Sequence, residues 1–180
     1  MAVRQDQPTK RRPPLDLEAL ERLALRYAER YATTRFRLAA YLIRKLRERG
    51  WAGAGEPPVE PLVGRMAGLG YVDDRAFAVA KGAALGRRGY GERRVDAALR
   101  AAGVGEEDSA EARDAARDEA WSAALRFAEK RRIGPFAKEF ADREGREKNL
   151  ARMLRAGHPL DLARRLVAAR PGDVPEADGD

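Results

Sequence analysis

Three glycines that each precede a bulky residue recur along this chain at almost constant spacing. The three pairs are Gly50-Trp51, Gly103-Val104 and Gly157-His158, and they lie 53 and 54 residues apart. An apolar residue stands four positions before each glycine, as Leu46, Leu99 and Met153. This pattern is typical of a helix that ends at a glycine, where the following residue packs back on the last turn. The recurrence predicts an all-α, elongated tandem array of three three-helix repeats.

Helical periodicity runs through most of the chain, and its breaks indicate the domain organisation. Apolar residues at spacings of three and four predict helices in each repeat, and no convincing period-two alternation indicates a strand. We expect a disordered basic arm at 1–14, three-helix repeats at 15–70, 71–115 and 116–170, and a polar tail at 171–180.

The charge distribution favours an anionic partner. The 180-residue chain has a formal net charge of +7, and charged residues make up 36% of it. The net charge is +3 over residues 1–14, +6 over 15–104 and −2 over 105–180. A basic front of this kind is typical of proteins that bind nucleic acid or an acidic protein surface. Solubility alone is the alternative explanation.

Cysteine is absent from the chain, which excludes a disulfide scaffold, a cysteine-ligated zinc site and a thiol nucleophile. No apolar run approaches the ~20 residues that span a bilayer. The first residues lack the apolar core of a secretory signal. We therefore expect a soluble cytoplasmic protein without a membrane partner.

The second helix of each predicted repeat carries basic residues opposite its apolar face. Such a line of side chains can contact phosphates or an acidic protein surface. The alternative is an ordinary solvated helix face. The candidates for contact with DNA or a partner are Arg37, Arg44, Arg47, Arg87, Arg88, Arg93, Arg94, Arg100, Lys148, Arg152 and Arg155.

The sequence gives no reason to expect catalysis. Adjacent Asp73 and Asp74 follow a glycine turn and precede a helix, so N-capping explains them better than a metal or acid–base pair. The single histidine, His158, lies between a helix-ending glycine and a helix-starting proline, which favours packing or capping over catalysis. No phosphate-binding glycine loop, nucleophile motif or zinc spacing is present. We expect no catalytic residue, no metal and no cofactor.

Two segments of the chain carry a resemblance to a known family. They are Leu69-Gly70-Tyr71-Val72-Asp73-Asp74-Arg75-Ala76-Phe77-Ala78 and Arg88-Gly89-Tyr90-Gly91-Glu92-Arg93-Arg94-Val95. With Leu99 and Gly103-Val104 they resemble the RecX family, the small bacterial regulators of the RecA recombinase. The resemblance covers roughly residues 20–168.

The resemblance implies a curved all-helical array that is not an enzyme. It implies that the protein lodges in the groove of the RecA–DNA filament, contacts DNA or recombinase, and limits filament growth or promotes disassembly. This would make the chain a modulator, expected to be negative, in recombination, DNA repair and the SOS response. We expect a monomer that contacts single- or double-stranded DNA weakly through phosphates, without sequence preference.

Two other classes of function remain open from the sequence. A direct DNA-binding transcriptional regulator with helix-turn-helix-like units would place base-reading residues such as Asn or Gln near the start of one helix. This chain offers arginines there, which suit phosphates better than a defined site. A generic helical-repeat adaptor would bind a partner protein with no response to recombinase or DNA.

Overall fold

The computed structural model describes residues 13–177, which hold nine α-helices joined by short connections. The prediction of an all-helical chain is confirmed. The helices are α1 Leu17–Arg30, α2 Arg35–Arg49, α3 Val59–Gly68, α4 Asp74–Arg87, α5 Glu92–Arg100, α6 Glu106–Asp118, α7 Ala120–Arg131, α8 Arg143–Arg155 and α9 Leu160–Ala168. The expected basic arm lies outside the described residues except for Pro13 and Pro14.

The chain divides into two compact units, Met1–Asp73 and Asp74–Asp180. We call them the N-terminal and C-terminal units. The first holds α1–α3, and the second holds α4–α9. The finer repeat boundaries at 71–115 and 116–170 stay a prediction.

In the N-terminal unit, α1, α2 and α3 enclose one apolar core that includes Leu20, Leu38 and Leu42, all fully buried. The residue that lies just before Asp16 and α1 also forms backbone hydrogen bonds with the residues that follow α2. The Leu15 amide donates to the Gly50 carbonyl at 3.0 Å, and the Ala52 amide donates to the Leu15 carbonyl at 2.8 Å. The start of α1 is therefore fastened to the end of α2 by backbone hydrogen bonds.

In the C-terminal unit, two apolar clusters follow one another along the chain. One lies among α4, α5 and α6 and includes Leu85, Val95 and Leu99. The other lies among α7, α8 and α9 and includes Met153 and Leu166. Tyr90 packs against both clusters, so the α4–α5 connection joins them into one unit.

Two of the three recurrent glycines end their helices in the same way. Gly103 and Gly157 have φ of 71° and 93°. The amide after each donates to a carbonyl five residues back, from Val104 to Leu99 at 3.1 Å and from His158 to Met153 at 3.2 Å. Gly50 also has a positive φ, but its own amide bonds Leu46 and its carbonyl bonds Leu15. Helix α2 therefore ends differently from α5 and α8, and its glycine also accepts a hydrogen bond from the segment before α1.

Candidate nucleic-acid and partner interface

Six basic side chains surround one groove in the C-terminal unit, and no acidic residue lines it. The groove has a volume of about 560 Å³ and a floor that includes Tyr90, Phe127 and Ala156. We call it the arginine groove. Its basic residues are Arg94, Lys130, Arg131, Arg132, Arg152 and Arg155.

Three helix ends bring these charges together. Lys130 and Arg131 lie in the last turn of α7, and Arg155 lies in the last turn of α8. Cations are stabilised at helix C-termini, where unpaired carbonyls carry partial negative charge. Arg94 comes from the first turn of α5. Arg132, which follows α7, has a left-handed backbone with φ of 54°.

Close contact between two glycines places α5 against the α8–α9 connection. The Gly91 amide donates to the Ala156 carbonyl at 3.0 Å, and the Arg93 amide donates to the Gly157 carbonyl at 3.2 Å. A Cβ on Gly91 would lie 2.5 Å from the Gly157 carbonyl oxygen, and a Cβ on Gly157 would lie 2.4 Å from the Arg94 nitrogen. Only residues without a side chain allow this approach, which places Arg94 beside the end of α8.

Aromatic rings in the floor lie close to several of the guanidinium groups. The guanidinium carbons of Arg88 and Arg94 lie 5.3 and 5.8 Å from the Tyr90 ring centroid. That of Arg131 lies 5.7 Å from the Phe127 ring centroid. A cation near an aromatic face gains roughly 0.5–1 kcal/mol at an exposed site. These contacts orient the arginines without neutralising them.

His158 packs beneath this region. Its ring is fully buried and lies 5.3 Å from the Phe127 ring between centroids. Burial lowers the pKa of His158 to about 4 and outweighs the Gly89 backbone, which acts in the opposite direction. The imidazole is therefore neutral at physiological pH and serves as a packing residue.

The charges of the arginine groove are unpaired, unlike many others in the molecule. Within residues 13–177, none of its six basic side chains forms a salt bridge. Exposed arginines elsewhere have carboxylate partners, for example Arg75 with Glu111 at 2.9 Å and Arg143 with Glu147 at 3.1 Å. Positive potential therefore concentrates at the groove.

A second basic groove lies in the N-terminal unit, along α1 and α2. It has a volume of about 490 Å³ and combines tyrosines with basic residues. We call it the tyrosine groove. Its lining is Leu23, Arg26, Tyr27, Arg30, Tyr31, Tyr41, Arg44 and Lys45.

The structure distributes the eleven candidate residues over separate surfaces. Arg94, Arg152 and Arg155 meet in the arginine groove, and Arg88 lies beside it over Tyr90. Arg44 instead lines the tyrosine groove of the N-terminal unit.

The other candidates line neither groove. Arg47 lies with Trp51 on a surface of α2 and α3, and Arg37 is half-buried near the start of α2. Arg100 and Lys148 each pair with a carboxylate of their own helix. Arg87 and Arg93 are exposed.

Three residues of the arginine groove were not among the candidates. Lys130, Arg131 and Arg132 form an uninterrupted basic run that ends α7. A helix-ending basic run is a common dipole effect, so the sequence alone did not distinguish it from solvated surface. Its role becomes visible only when α5 and α8 are placed beside it.

The described part of the chain also defines which other sites are absent from it. Between residues 13 and 177, no three side chains among His, Asp and Glu come together in a way that could hold a metal ion. In the same range, no helix is long and apolar enough to cross a membrane.

Asp74 is the first residue of α4 and is buried, and Asp73 immediately precedes the helix. These positions agree with a role at the helix start.

Comparison with known proteins identifies the family of the chain. No protein-family model matches it. The regulatory protein RecX of Myxococcus xanthus is 34% identical over 163 residues, which cover 84% of this chain and 86% of that protein. The regulatory protein RecX of Thermus thermophilus is 39% identical over 97 residues, covering 48% of this chain and 68% of that protein.

A solved structure has the same fold. The crystal structure of RecX from Lactobacillus salivarius matches with a TM-score of 0.60 and covers 83% of this chain and 93% of that chain. Its sequence identity is 15%, so this similarity concerns the fold alone. The identity to the Myxococcus xanthus protein over most of both lengths shows that this chain belongs to the RecX family of regulatory proteins.

Proposed function

We propose that this chain is a non-enzymatic, negative modulator of the RecA recombinase that acts in the cytoplasm in recombination, DNA repair and the SOS response. As a monomer it binds in the groove of the RecA–DNA filament and limits filament growth or stability. Family membership supports the regulatory role. The arginine groove, with six basic and no acidic lining residues, is the observation that carries the proposal.

The chemistry of the arginine groove suits oxyanions. Five of its six basic residues are arginines, whose planar guanidinium can donate two parallel hydrogen bonds to a phosphate or carboxylate. A filament offers both groups, as DNA phosphates and as acidic side chains. The groove lining holds neither Asn nor Gln, the residues that read adenine edges, which supports contact through phosphates without sequence preference.

The test removes three groove charges and measures the effect on RecA. The variant carries Arg94→Ala, Arg131→Ala and Arg155→Ala, all at exposed positions. The assay is a dose–response of ATP hydrolysis by RecA on single-stranded DNA. Lost charge contacts cost roughly 1–3 kcal/mol each when partly desolvated. We therefore expect the inhibitory concentration to rise at least about tenfold.

A matched variant controls for net charge. Arg22→Ala, Arg75→Ala and Arg143→Ala also remove three positive charges, from exposed arginines that pair with carboxylates. This control should inhibit RecA nearly as well as the unmodified protein. Equal loss of inhibition in both variants, or no loss in either, would remove the arginine groove from the mechanism. Tight, salt-insensitive binding to one duplex sequence would favour a transcriptional regulator instead.

A further inference from the structure

The tyrosine groove is richer in tyrosine than the arginine groove. Three tyrosines contribute to its lining, and two of them stack: the Tyr27 and Tyr41 ring centroids are 4.2 Å apart, with 15° between the planes. Tyr31 adds a third ring, 5.2 Å from Tyr27. The stack joins α1 to α2 and makes a continuous aromatic wall.

Basic side chains lie against this wall. The Arg30 guanidinium carbon is 5.6 Å from the Tyr31 ring centroid. The Arg44 guanidinium carbon is 5.6 Å from the Tyr41 ring centroid, and the Lys45 ammonium nitrogen is 5.8 Å from it. Aromatic rings and cations therefore share one surface formed by two helices.

The groove keeps a positive charge after Glu48, which pairs with Lys45, is counted. Its lining includes four basic residues and no acidic one. Glu48, outside the lining, pairs with Lys45 at 2.6 Å and lies 4.0 Å from Arg44. Arg26 and Arg30 are exposed and add two further charges. An anionic ligand is therefore favoured.

The exposure of Tyr31 indicates what kind of anion fits. An inward-pointing Tyr31 side chain would pack in the apolar core. The residue is instead 49% exposed. Tyr27 and the Arg30 guanidinium lie next to this ring, and about half of the residue stays accessible, so that it can stack with another π-system. Single-stranded nucleic acid presents both a phosphate and an unpaired base with free faces, whereas the bases of a duplex are already stacked. The carboxylates of an acidic peptide would pair with the cations but offer no ring to stack on Tyr31.

We propose that the tyrosine groove binds single-stranded nucleic acid, with an unpaired base stacked on Tyr31 and the flanking phosphates bound by Arg26, Arg30 and Arg44. This site lies in the N-terminal unit and involves base stacking rather than phosphate contact alone. It does not depend on regulation of RecA, and its test contains no recombinase.

The experiment separates base stacking from charge. Binding is measured by fluorescence anisotropy with a labelled oligothymidylate and with an abasic strand of equal length, which has the same phosphates and no bases. A duplex and an oligouridylate are run in parallel. The full-length protein carries Arg94→Ala, Arg131→Ala and Arg155→Ala, so that the arginine groove does not mask the result.

In this background we expect oligothymidylate to bind about tenfold more tightly than the abasic strand or the duplex, because one stacked base is worth this order of affinity. Tyr31→Ala should abolish the difference, and Tyr31→Phe should retain it. Comparable binding of oligouridylate would extend the site to RNA, and weaker binding would assign it to DNA.

Phe36→Ala is the matched control, because Phe36 is 59% exposed and does not line the groove. It should keep the preference for the strand with bases. Equal affinity for base-bearing and abasic strands, or a preference that survives Tyr31→Ala, would overturn the proposal. Far-ultraviolet circular dichroism confirms that each variant is folded.

Discussion

Acidification should destabilise the C-terminal unit through His158. The imidazole is fully buried, and burial lowers its pKa from 6.5 to about 4. In the unfolded chain the group takes up a proton below about pH 6.5, whereas in the folded protein it resists protonation until about pH 4. Its contribution to stability is therefore fully present above pH 6.5 and is lost as pH falls through that window.

The magnitude follows from the shift in pKa. Between the two pKa values, each pH unit costs about 1.4 kcal/mol. At about pH 5 the loss amounts to roughly 2 kcal/mol, and the full shift corresponds to roughly 3 kcal/mol. For a domain with a typical free energy of unfolding of about 5–15 kcal/mol, this is a readily measured fraction.

The assay uses urea unfolding, followed by the fluorescence of Trp121, which packs against the same apolar cluster that includes Met153 and Leu166. Trp51→Phe removes the tryptophan of the N-terminal unit. His158→Leu, made in that background, provides the comparison because it retains every carboxylate and loses only the titrating imidazole. The free energy of unfolding should fall with acidification more steeply in the protein that keeps His158. Parallel pH profiles between about pH 5 and 7.5 would refute the reasoning.

Three further changes should have distinct effects. Gly91→Ala places a Cβ 2.5 Å from the Gly157 carbonyl oxygen, so we expect a loss of roughly 2–4 kcal/mol in thermal or urea unfolding, while Gly64→Ala, where the new atom meets nothing within 4 Å, should not destabilise. Thr34→Ala removes the oxygen that accepts from the Arg37 amide at 3.2 Å and should cost about 1 kcal/mol in urea unfolding, which a retained stability would contradict. Removing three arginines from the arginine groove should make the plot of log affinity for duplex DNA against log salt shallower by about 2–3, and an unchanged slope would exclude phosphate contacts there.

The ends of the helices could be predicted because they depend on local chemistry. A positive φ at Gly103 or Gly157 is a property of glycine and its neighbours, so spacing along the chain was sufficient. The candidate site depended on tertiary contacts. The sequence placed Arg94 and Arg155 in different repeats, and nothing local indicated that Gly91 would rest against Gly157 and bring them to one groove.

The tyrosines of α1 show where helical periodicity fails as a predictor of side-chain direction. Counted at helical spacing, Tyr27 and Tyr31 fall on the same face of α1 as Leu20 and Ala24, and Tyr27 does pack as a partly buried neighbour of the core. Tyr31, however, is the residue at which α1 ends, and its backbone is extended with φ of −131°. The regular rotation per residue of a helix no longer applies at Tyr31, so its ring does not lie on the apolar face of α1. Periodicity cannot detect such a departure without the position of the helix end.

The arginine groove draws its charge from three segments that are far apart in sequence, near residues 94, 130–132 and 152–155. Each segment contributes to one local electric field, and the field depends on where charges lie and not on which segment supplies them. A substitution that removes an arginine from α8 can thus be compensated by a new one at the end of α7. Across related proteins, the quantity to compare is the potential over the groove, because column-by-column identity will understate how well such a surface is preserved during sequence divergence.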